Sequence, residues 1–488
     1  MKSAQFQVFD EKEIQTIHNT SLEILEKTGI RVNLKKLRDI LADSGCSVDE
    51  SEKLVKFPAQ VVKDHIKKAP REFTLCGPYP EEKSWVLNPE AQMFCGLSTA
   101  INIYDLHSRE YRPATLQDTI DHIIIMDYLE NIVANQMDIW PNDIPMQTIH
   151  SETIRGWALN ATKPYSMGAY GVLPSRDMME MVALVMGGRE NLKKTCPILG
   201  IVSIQSPLST AHIQLEGMLI FGEYGMPAIL APEAMAGTTA PVTLAGLMVQ
   251  HNAEVLAHLV MAQAANPGTP VLYGSVSTIA EMRRGTSALG SVECGMISAG
   301  AAQMARFYDI PCRVVAGGTE SKTLDLQCGV ERSRSMMLAA LAGANYITCV
   351  GTIESTTGTA QELSVVDNEI IGSVMRAVRG IEVTEESLAK EVIEKIGPDG
   401  NYLMEEHTQK LFRTEHYMTK LASLEKRDIW EKEGSKEMVD RARERTKTIL
   451  KKHTPRDIDP KLKKELDDFC KTVEERDLDE FYAAEMEG

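Results

Sequence analysis

The 488 residues, 43% hydrophobic and 25% charged, suffice for an enzyme-sized globular fold with a substantial core, and no long low-complexity tract argues for disorder. A formal net charge of −17 argues against a nucleic-acid role, because neutralising phosphates needs Lys and Arg clustered on one face. The start, Met1 to Gln5, lacks the apolar core of a leader, no run of about 18 apolar residues follows, and the nine cysteines are scattered without C-x-x-C pairs. The expectation is a cytoplasmic protein with no membrane span, no disulfide framework and no zinc ribbon.

Residues 1–90 read as an N-terminal helical cap or interface arm. Helices are predicted over 11–28 and 34–44, followed by a segment broken by Pro58, Pro70, Pro78 and Pro80. A barrel domain is expected over 91–380, within which, from about 90 to 355, the chain repeats a cycle of a short apolar run bounded by Gly or Pro and a longer amphipathic stretch, the rhythm of βα units. Strands are predicted at 93–96, 132–135, 165–169, 198–202, 228–230, 271–274, 313–316 and 346–350. Several are entered through Pro164, Pro197, Pro227, Pro270 and Pro311, which suits a first strand position where no ladder donor is needed. Between them run helical patterns such as 244–265, where Leu247, Val255, Leu259 and Ala262 share a face.

Eight such units imply an α/β fold, a closed (β/α)8 TIM-type barrel. An open doubly wound sheet is the alternative, but the G-x-G-x-x-G turn that usually marks it is missing. Residues 381–488 read as a charged C-terminal helical extension, clearest at 435–452 and 460–475.

In a barrel of this kind the functional groups lie just past the C-terminal ends of the strands. Here those segments offer carboxylates, Asp138, Glu233, Glu320 and Glu354, beside the rings of Phe94, Trp140, Tyr170, Tyr273 and Tyr346, with Gln205 among them. Such a set suits a cation that cannot donate a hydrogen bond, which a protein holds by ring faces and diffuse negative charge. No metal set is expected: His251 and His258 share a helix face without an acidic partner in register. Ser203 and Ser206 lack a G-x-S-x-G elbow, and the nearest histidine, His212, falls on the next helix.

The run Gly317-Gly318-Thr319-Glu320-Ser321-Lys322-Thr323-Leu324-Asp325 resembles the seventh-strand loop of the trimethylamine:corrinoid methyltransferase family. Leu341-Ala342-Gly343-Ala344-Asn345-Tyr346-Ile347, then Gly351 and Val366-Asp367-Asn368-Glu369, is similar to the family's eighth-strand region. Gly397-Pro398-Asp399-Gly400-Asn401-Tyr402 and Ile17-His18-Asn19-Thr20 extend the likeness over nearly the whole chain. Founding members carry pyrrolysine; this chain holds only standard residues, so it resembles the branch that demethylates glycine betaine, proline betaine, carnitine or γ-butyrobetaine. Relatives using glycine betaine often have a histidine soon after Gly-Ala-Asn, where this chain departs with Thr348-Cys349.

The resemblance implies methyl transfer from a quaternary amine to the cobalt(I) of a corrinoid. The corrinoid would arrive on a partner protein, with no cofactor bound tightly by this chain and no metal. Glu320 and Glu354 are the expected catalytic carboxylates. Phe94, Asp138, Trp140, Tyr170, Gln205, Glu233, Tyr273, Lys322 and Tyr346 are expected at the substrate, and Gly317, Gly318, Ser321 and Gly351 facing the corrinoid. A substrate carboxylate would meet Lys322 and the Gly317–Gly318 amides; Arg313 is read as facing outward. A homo-oligomer is expected. Competing readings are a non-catalytic betaine-binding protein and a barrel lyase with Lys322 as Schiff-base amine.

Overall fold

The computed structural model describes residues 6–486, so the segment Met1 to Gln5, on which the leader reading rests, lies outside it. Eight parallel strands form one sheet: β1 Met93–Gly96, β2 Asn135–Gln136, β3 Tyr165–Gly168, β4 Ile198–Ile204, β5 Ala228–Pro232, β6 Val271–Ser275, β7 Cys312–Val315 and β8 Tyr346–Val350. They are hydrogen-bonded in the order β1-β8-β7-β6-β5-β4-β3-β2. Closure between β1 and β2 comes from a parallel bridge, Cys95 to Ala134, and from the Val133 N–H donating to the Phe94 carbonyl at 2.8 Å. The open-sheet alternative is thereby excluded. The second strand starts three residues later than predicted, because 132–134 make the bridge without a regular ladder.

The strand-entry prolines have a common role. Pro164, Pro197, Pro227, Pro270 and Pro311 have no N–H to give, and each offers its carbonyl to the preceding strand: Asn135, Tyr165, Gly200, Ala228 and Tyr273 donate to them at 2.9–3.0 Å.

Helices α1 Leu116–Tyr128, α2 Ile149–Asn160, α3 Leu173–Val185, α4 His212–Glu223, α5 Leu244–Ala265, α6 Val292–Phe307, α7 Leu326–Leu341 and α8 Gln361–Arg379 follow their strands in turn. Side chains fix several starts. Thr115 and Asp118 form a capping box for α1, Ser291 accepts from the Cys294 N–H at α6, and Asp325 accepts from that of Cys328 at α7.

The N-terminal unit packs on the barrel's helix layer. Its helices Glu11–Lys27 and Ala59–Ile66 pack on α5, and Ser21 Oγ donates to the Val249 carbonyl at 2.9 Å. The Pro-broken segment after it contains a hairpin the sequence did not announce, Phe73–Cys76 with Ser84–Leu87, which plugs the bottom of the barrel. At the other end the helices Met438–Lys452 and Pro460–Glu474 clasp the barrel's flank. Arg443 pairs with Glu362 of α8, Arg155 of α2 with Asp467, and Arg476 with Asp177 of α3.

Candidate active site

Side-chain parity along the strands decides what enters the barrel. Met93, Cys95, Leu199, Ile229, Ala231, Leu272 and Tyr346 point inward and join Phe73, Leu75 and Leu87 of the plug in one apolar cluster. Above this floor the same inward positions turn polar. Ser166 of β3 shares a 3.0 Å hydrogen bond with the Tyr346 hydroxyl.

Arg313 of β7 lies between Cys312 and Val314, both packed against the helix layer, so it takes the inward face. The outward reading is thus corrected: Arg313 sits within the strand, and alternation turns it into the barrel. Its ladder neighbours are Gly274 and Tyr346, and the missing side chain at Gly274 leaves room for the guanidinium. Arg313 is 2% exposed, and its Nε and Nη1 have no hydrogen-bond partner. Burial pulls its pKa below the usual arginine value, against the fields of Cys95, Tyr346, Glu233 and Asp138. An arginine stays charged even so.

Asp138, 1% exposed, follows β2. It accepts from Gln136 Nε2 at 3.1 Å and pairs with His122 Nε2 of α1 at 2.9 Å. Its carboxylate lies where a β-carbon on Gly96 would stand, 1.8 Å from Oδ2, so the glycine is what lets it approach. Burial pushes its pKa up, and the His122 and Gln136 hydrogen bonds oppose that. His122 Nδ1 and Gln136 Oε1 are buried without partners.

Above these groups the rings of Trp140 and Tyr170 lie 6.2 Å apart, tilted by 35°. Tyr170 covers the inward-facing Gly168, its Cδ1 2.6 Å from where a β-carbon would be. Gln205 and Glu233 leave β4 and β5 side by side, since Ile204 is in register with Pro232, and both are exposed at the mouth.

The structure therefore brings together Asp138, Trp140, Tyr170, Gln205, Glu233 and Tyr346. Others it places elsewhere. Phe94 packs in the helix-side cluster, and Tyr273 points outward, its hydroxyl donating to Asn252 Oδ1 at 3.0 Å and its ring stacked 6.2 Å from Tyr308. Strand parity puts both outside the wall. The Glu320 carboxylate accepts from the Gly290 N–H at 2.9 Å and from Ser355 Oγ at 2.9 Å, with its pKa raised by burial; it ties two loops together. Glu354 accepts from the Tyr111 hydroxyl at 2.6 Å.

Lys322 is exposed and donates to the Glu320 carbonyl at 2.7 Å, so it lacks the burial a Schiff-base amine needs. Among the described residues the buried lysine is Lys163, held down to about 7 by burial, and it caps the end of α1 by donating to the Met126 and Leu129 carbonyls.

The glycines expected to face the corrinoid are enclosed by the chain itself. Gly317, at φ +64°, would bring a β-carbon 2.4 Å from the Cys349 carbonyl, and Gly318 would meet Leu289 Cβ at 2.7 Å. Ser321 donates to Asp325 and the Thr323 carbonyl, which steadies the start of α7. Gly351, at φ +91°, lies against His122 and donates its N–H to Asp367 at 2.8 Å.

His122, Gln136 and Ser166 were not singled out from the sequence, and Arg313 was read as facing outward. Only Arg313 carried a signal, a charged residue at inward parity in an otherwise apolar strand. Among the described residues no three His, Cys, Asp or Glu side chains gather as a metal set, and no helix is long and apolar enough to cross a membrane.

A family model described as Trimethylamine methyltransferase (MTTB) matches residues 1–476. The chain belongs to the trimethylamine methyltransferase family. This family member is 33% identical over 457 residues to a trimethylamine methyltransferase of Desulfitobacterium hafniense, covering 93% of this chain and 91% of that protein. It is 32% identical to a glycine betaine methyltransferase from another strain of that species, covering 95% and 96%. To the trimethylamine methyltransferase of Methanosarcina thermophila it is 31% identical, covering 96% and 97%. Among solved structures, the monomethylamine methyltransferase of Methanosarcina barkeri aligns with a TM-score of 0.48 at 14% identity, over 92% of this chain and 96% of that one. This family member is an enzyme of the methyltransferase class.

Proposed function

We propose that the chain moves a methyl group from a small quaternary amine bearing a carboxylate, a betaine, to the cobalt(I) of a corrinoid presented by a partner protein. The observation that carries the finer part of this reading is Arg313, a buried cation with two unpartnered guanidinium nitrogens inside the barrel. A guanidinium in that state calls for a planar anion, and a carboxylate matches its fork. The ring pair Trp140–Tyr170 supplies the complementary end, where a quaternary nitrogen finds ring faces without needing to donate a hydrogen bond, and the fields of Asp138 and Glu233, which also reach Arg313, add negative potential to the site. Glycine betaine, proline betaine, carnitine and γ-butyrobetaine all share this chemistry, and one of the relatives is named for the first.

The reaction asks little else of the protein. The bond broken joins methyl carbon to nitrogen, its electron pair stays on nitrogen, and the new bond forms to cobalt, so no proton has to move. The corrinoid enters as co-substrate on its carrier. Holding methyl, nitrogen and acceptor in line turns a bimolecular displacement into a nearly unimolecular one, worth about 7–11 kcal/mol. Arg313 fixes one end of the substrate and the rings fix the other. Because positive charge on nitrogen is lost during transfer, carboxylates in direct contact with it would favour substrate over transition state. Asp138, already held by His122 and Gln136, acts as field rather than contact.

The test is incubation with cob(I)alamin and a panel of betaines, choline and trimethylamine, following the methylcob(III)alamin spectrum. Methyl transfer from betaines above all others is expected. Saturable betaine binding without transfer to cob(I)alamin or to a corrinoid protein would leave a binding protein instead.

A further inference from the structure

We infer that His122 is a positioning residue that decides which molecules the barrel accepts: by holding Asp138 as a carboxylate in the wall, it makes the cavity complementary to a zwitterion rather than to a plain carboxylate. This role rests on the reading that a betaine occupies the barrel, and it concerns what tells that betaine from an anion of the same shape.

His122 acts from behind the wall. It stands on α1, 2% exposed, and its Nε2 lies 2.9 Å from Asp138 Oδ2. Two glycines clear the space for the pair. A β-carbon on Gly96 would fall 1.8 Å from Asp138 Oδ2, and one on Gly351 would fall 3.2 Å from His122 Cε1. Gln136 Nε2, at 3.1 Å, and the Ser98 N–H complete the donors to the carboxylate.

A carboxylate taken out of water takes up a proton unless donors or cations oppose it. Burial raises the Asp138 pKa, and His122 is the largest opposing influence, ahead of Ser98 and Gln136. The groups facing Asp138 from other strands do not substitute for it. Burial pushes Cys95 of β1, Tyr165 of β3 and Cys349 of β8 above their usual ranges, so these stay neutral. Arg313 of β7 is charged, but its field is what a substrate carboxylate would take up.

A second buried pair shows the same contact in another setting. His150 Nε2 of α2 lies 2.9 Å from Asp177 Oδ2 of α3, and Arg476 pairs with that carboxylate at 2.8 Å. Burial raises the Asp177 pKa, yet His150 and Arg476 together bring it below the usual carboxylate value. Asp138 has only His122 as an ion-pair partner among the described residues. Selectivity follows from that difference. With Asp138 ionised, Arg313 and Asp138 present one charge of each sign, the complement of a betaine. With Asp138 protonated, the buried charge is that of Arg313, and any carboxylate of the right shape is favoured.

The test is the ratio of calorimetric Kd values for γ-butyrobetaine and its carbon isostere 5,5-dimethylhexanoate, with glycine betaine and 3,3-dimethylbutanoate as a shorter pair, from about pH 5.5 to 8.5. The wild type should prefer the betaine throughout. His122→Leu should lose that preference as pH falls, by up to about tenfold per pH unit once Asp138 protonates, and regain it as pH rises. His122→Gln, whose amide donates from near the Nε2 position, should restore it. His150→Leu, which breaks the other pair, should leave it unchanged. Should His122→Leu fail to fold, Asp138→Asn decides, and it should favour the isostere at every pH. A betaine preference that His122→Leu keeps across the range, an equal loss in His150→Leu, or a preference retained by Asp138→Asn would each overturn the role given to His122. A wild type without any preference for a betaine overturns the functional reading itself, and this role with it.

Discussion

Replacing Arg313 with methionine isolates what the guanidinium does, because the unbranched stem is kept as far as the Nε position while the charge and the donors are lost. In the free enzyme Nε and Nη1 are buried and unpartnered, a condition that costs about 1–3 kcal/mol for each group left unsatisfied. Replacing a buried, poorly compensated charge with an apolar side chain is neutral or stabilising by about 1–4 kcal/mol. Arg313→Met is therefore expected to melt no lower than the wild type. Ligand binding should move the other way. Losing one partner of a buried, hydrogen-bonded charge pair costs about 2–5 kcal/mol, which weakens betaine binding by about 30-fold to several thousand-fold. Tetramethylammonium and choline have no carboxylate to lose and should bind within about threefold of wild type. Calorimetric Kd values without acceptor, and kcat/KM from the methylcob(III)alamin spectrum, measure both. Equal losses for betaines and choline, or a sharply lowered melt with unchanged betaine affinity, would show that Arg313 is a structural group and refute the reasoning.

The ring pair should hold the ammonium: Trp140→Leu is expected to raise the Kd of a betaine about 2- to 30-fold, as a cation–π contact of about 0.5–2 kcal/mol implies, but not that of its carbon isostere, in which nitrogen is replaced by carbon. Equal effects on both ligands would mean that only shape is lost. Quaternary substrates should outrun tertiary ones, since a tertiary nitrogen lacks the positive leaving group; comparable turnover of glycine betaine and dimethylglycine contradicts this. Glu320→Gln should lower the urea midpoint, by about 1–3 kcal/mol of stability, and leave betaine KM within twofold, because the carboxylate holds Gly290 and Ser355. A large KM change with an unaltered midpoint would return Glu320 to the substrate. Lys163 is held down to about 7 when folded and titrates near 10.5 when unfolded. Between those values the unfolded chain carries the extra proton, so stability should rise with pH by an amount on the order of 5 kcal/mol that Lys163→Met lacks. Parallel urea midpoints for the two proteins from pH 7 to 10 would reject it.

The barrel was legible because its signals are local. Eight apolar runs, each bounded by Gly or Pro and followed by a helical period, give the unit count, and the strand-entry prolines mark the bottom rim without any knowledge of neighbours. Helix 244–265 was placed to the residue for the same reason. The mouth residues after β2 to β5 were legible from chain position alone, since the C-terminal end of a parallel strand faces one end of the barrel whatever its sequence.

Facing was not legible where strands are buried on both sides. Phe94, Tyr273 and Tyr346 look alike in sequence, yet only Tyr346 points inward, and Arg313 turns inward between two residues that pack outward. The glycines after β7 looked like space for a ligand, but a neighbouring strand, α7 and Leu289 fill that space. The N-terminal segment, read as a helical cap or an interface arm, packs on α5, whereas over 382–413 the segment after α8 buries no residue. Sequence by itself determined the number, order and direction of the βα units, because those depend on periodicity within a few residues. Only tertiary structure decided which side chains share the interior, because the parity of a two-sided strand is fixed by register with its neighbours and by what already occupies the space beside them.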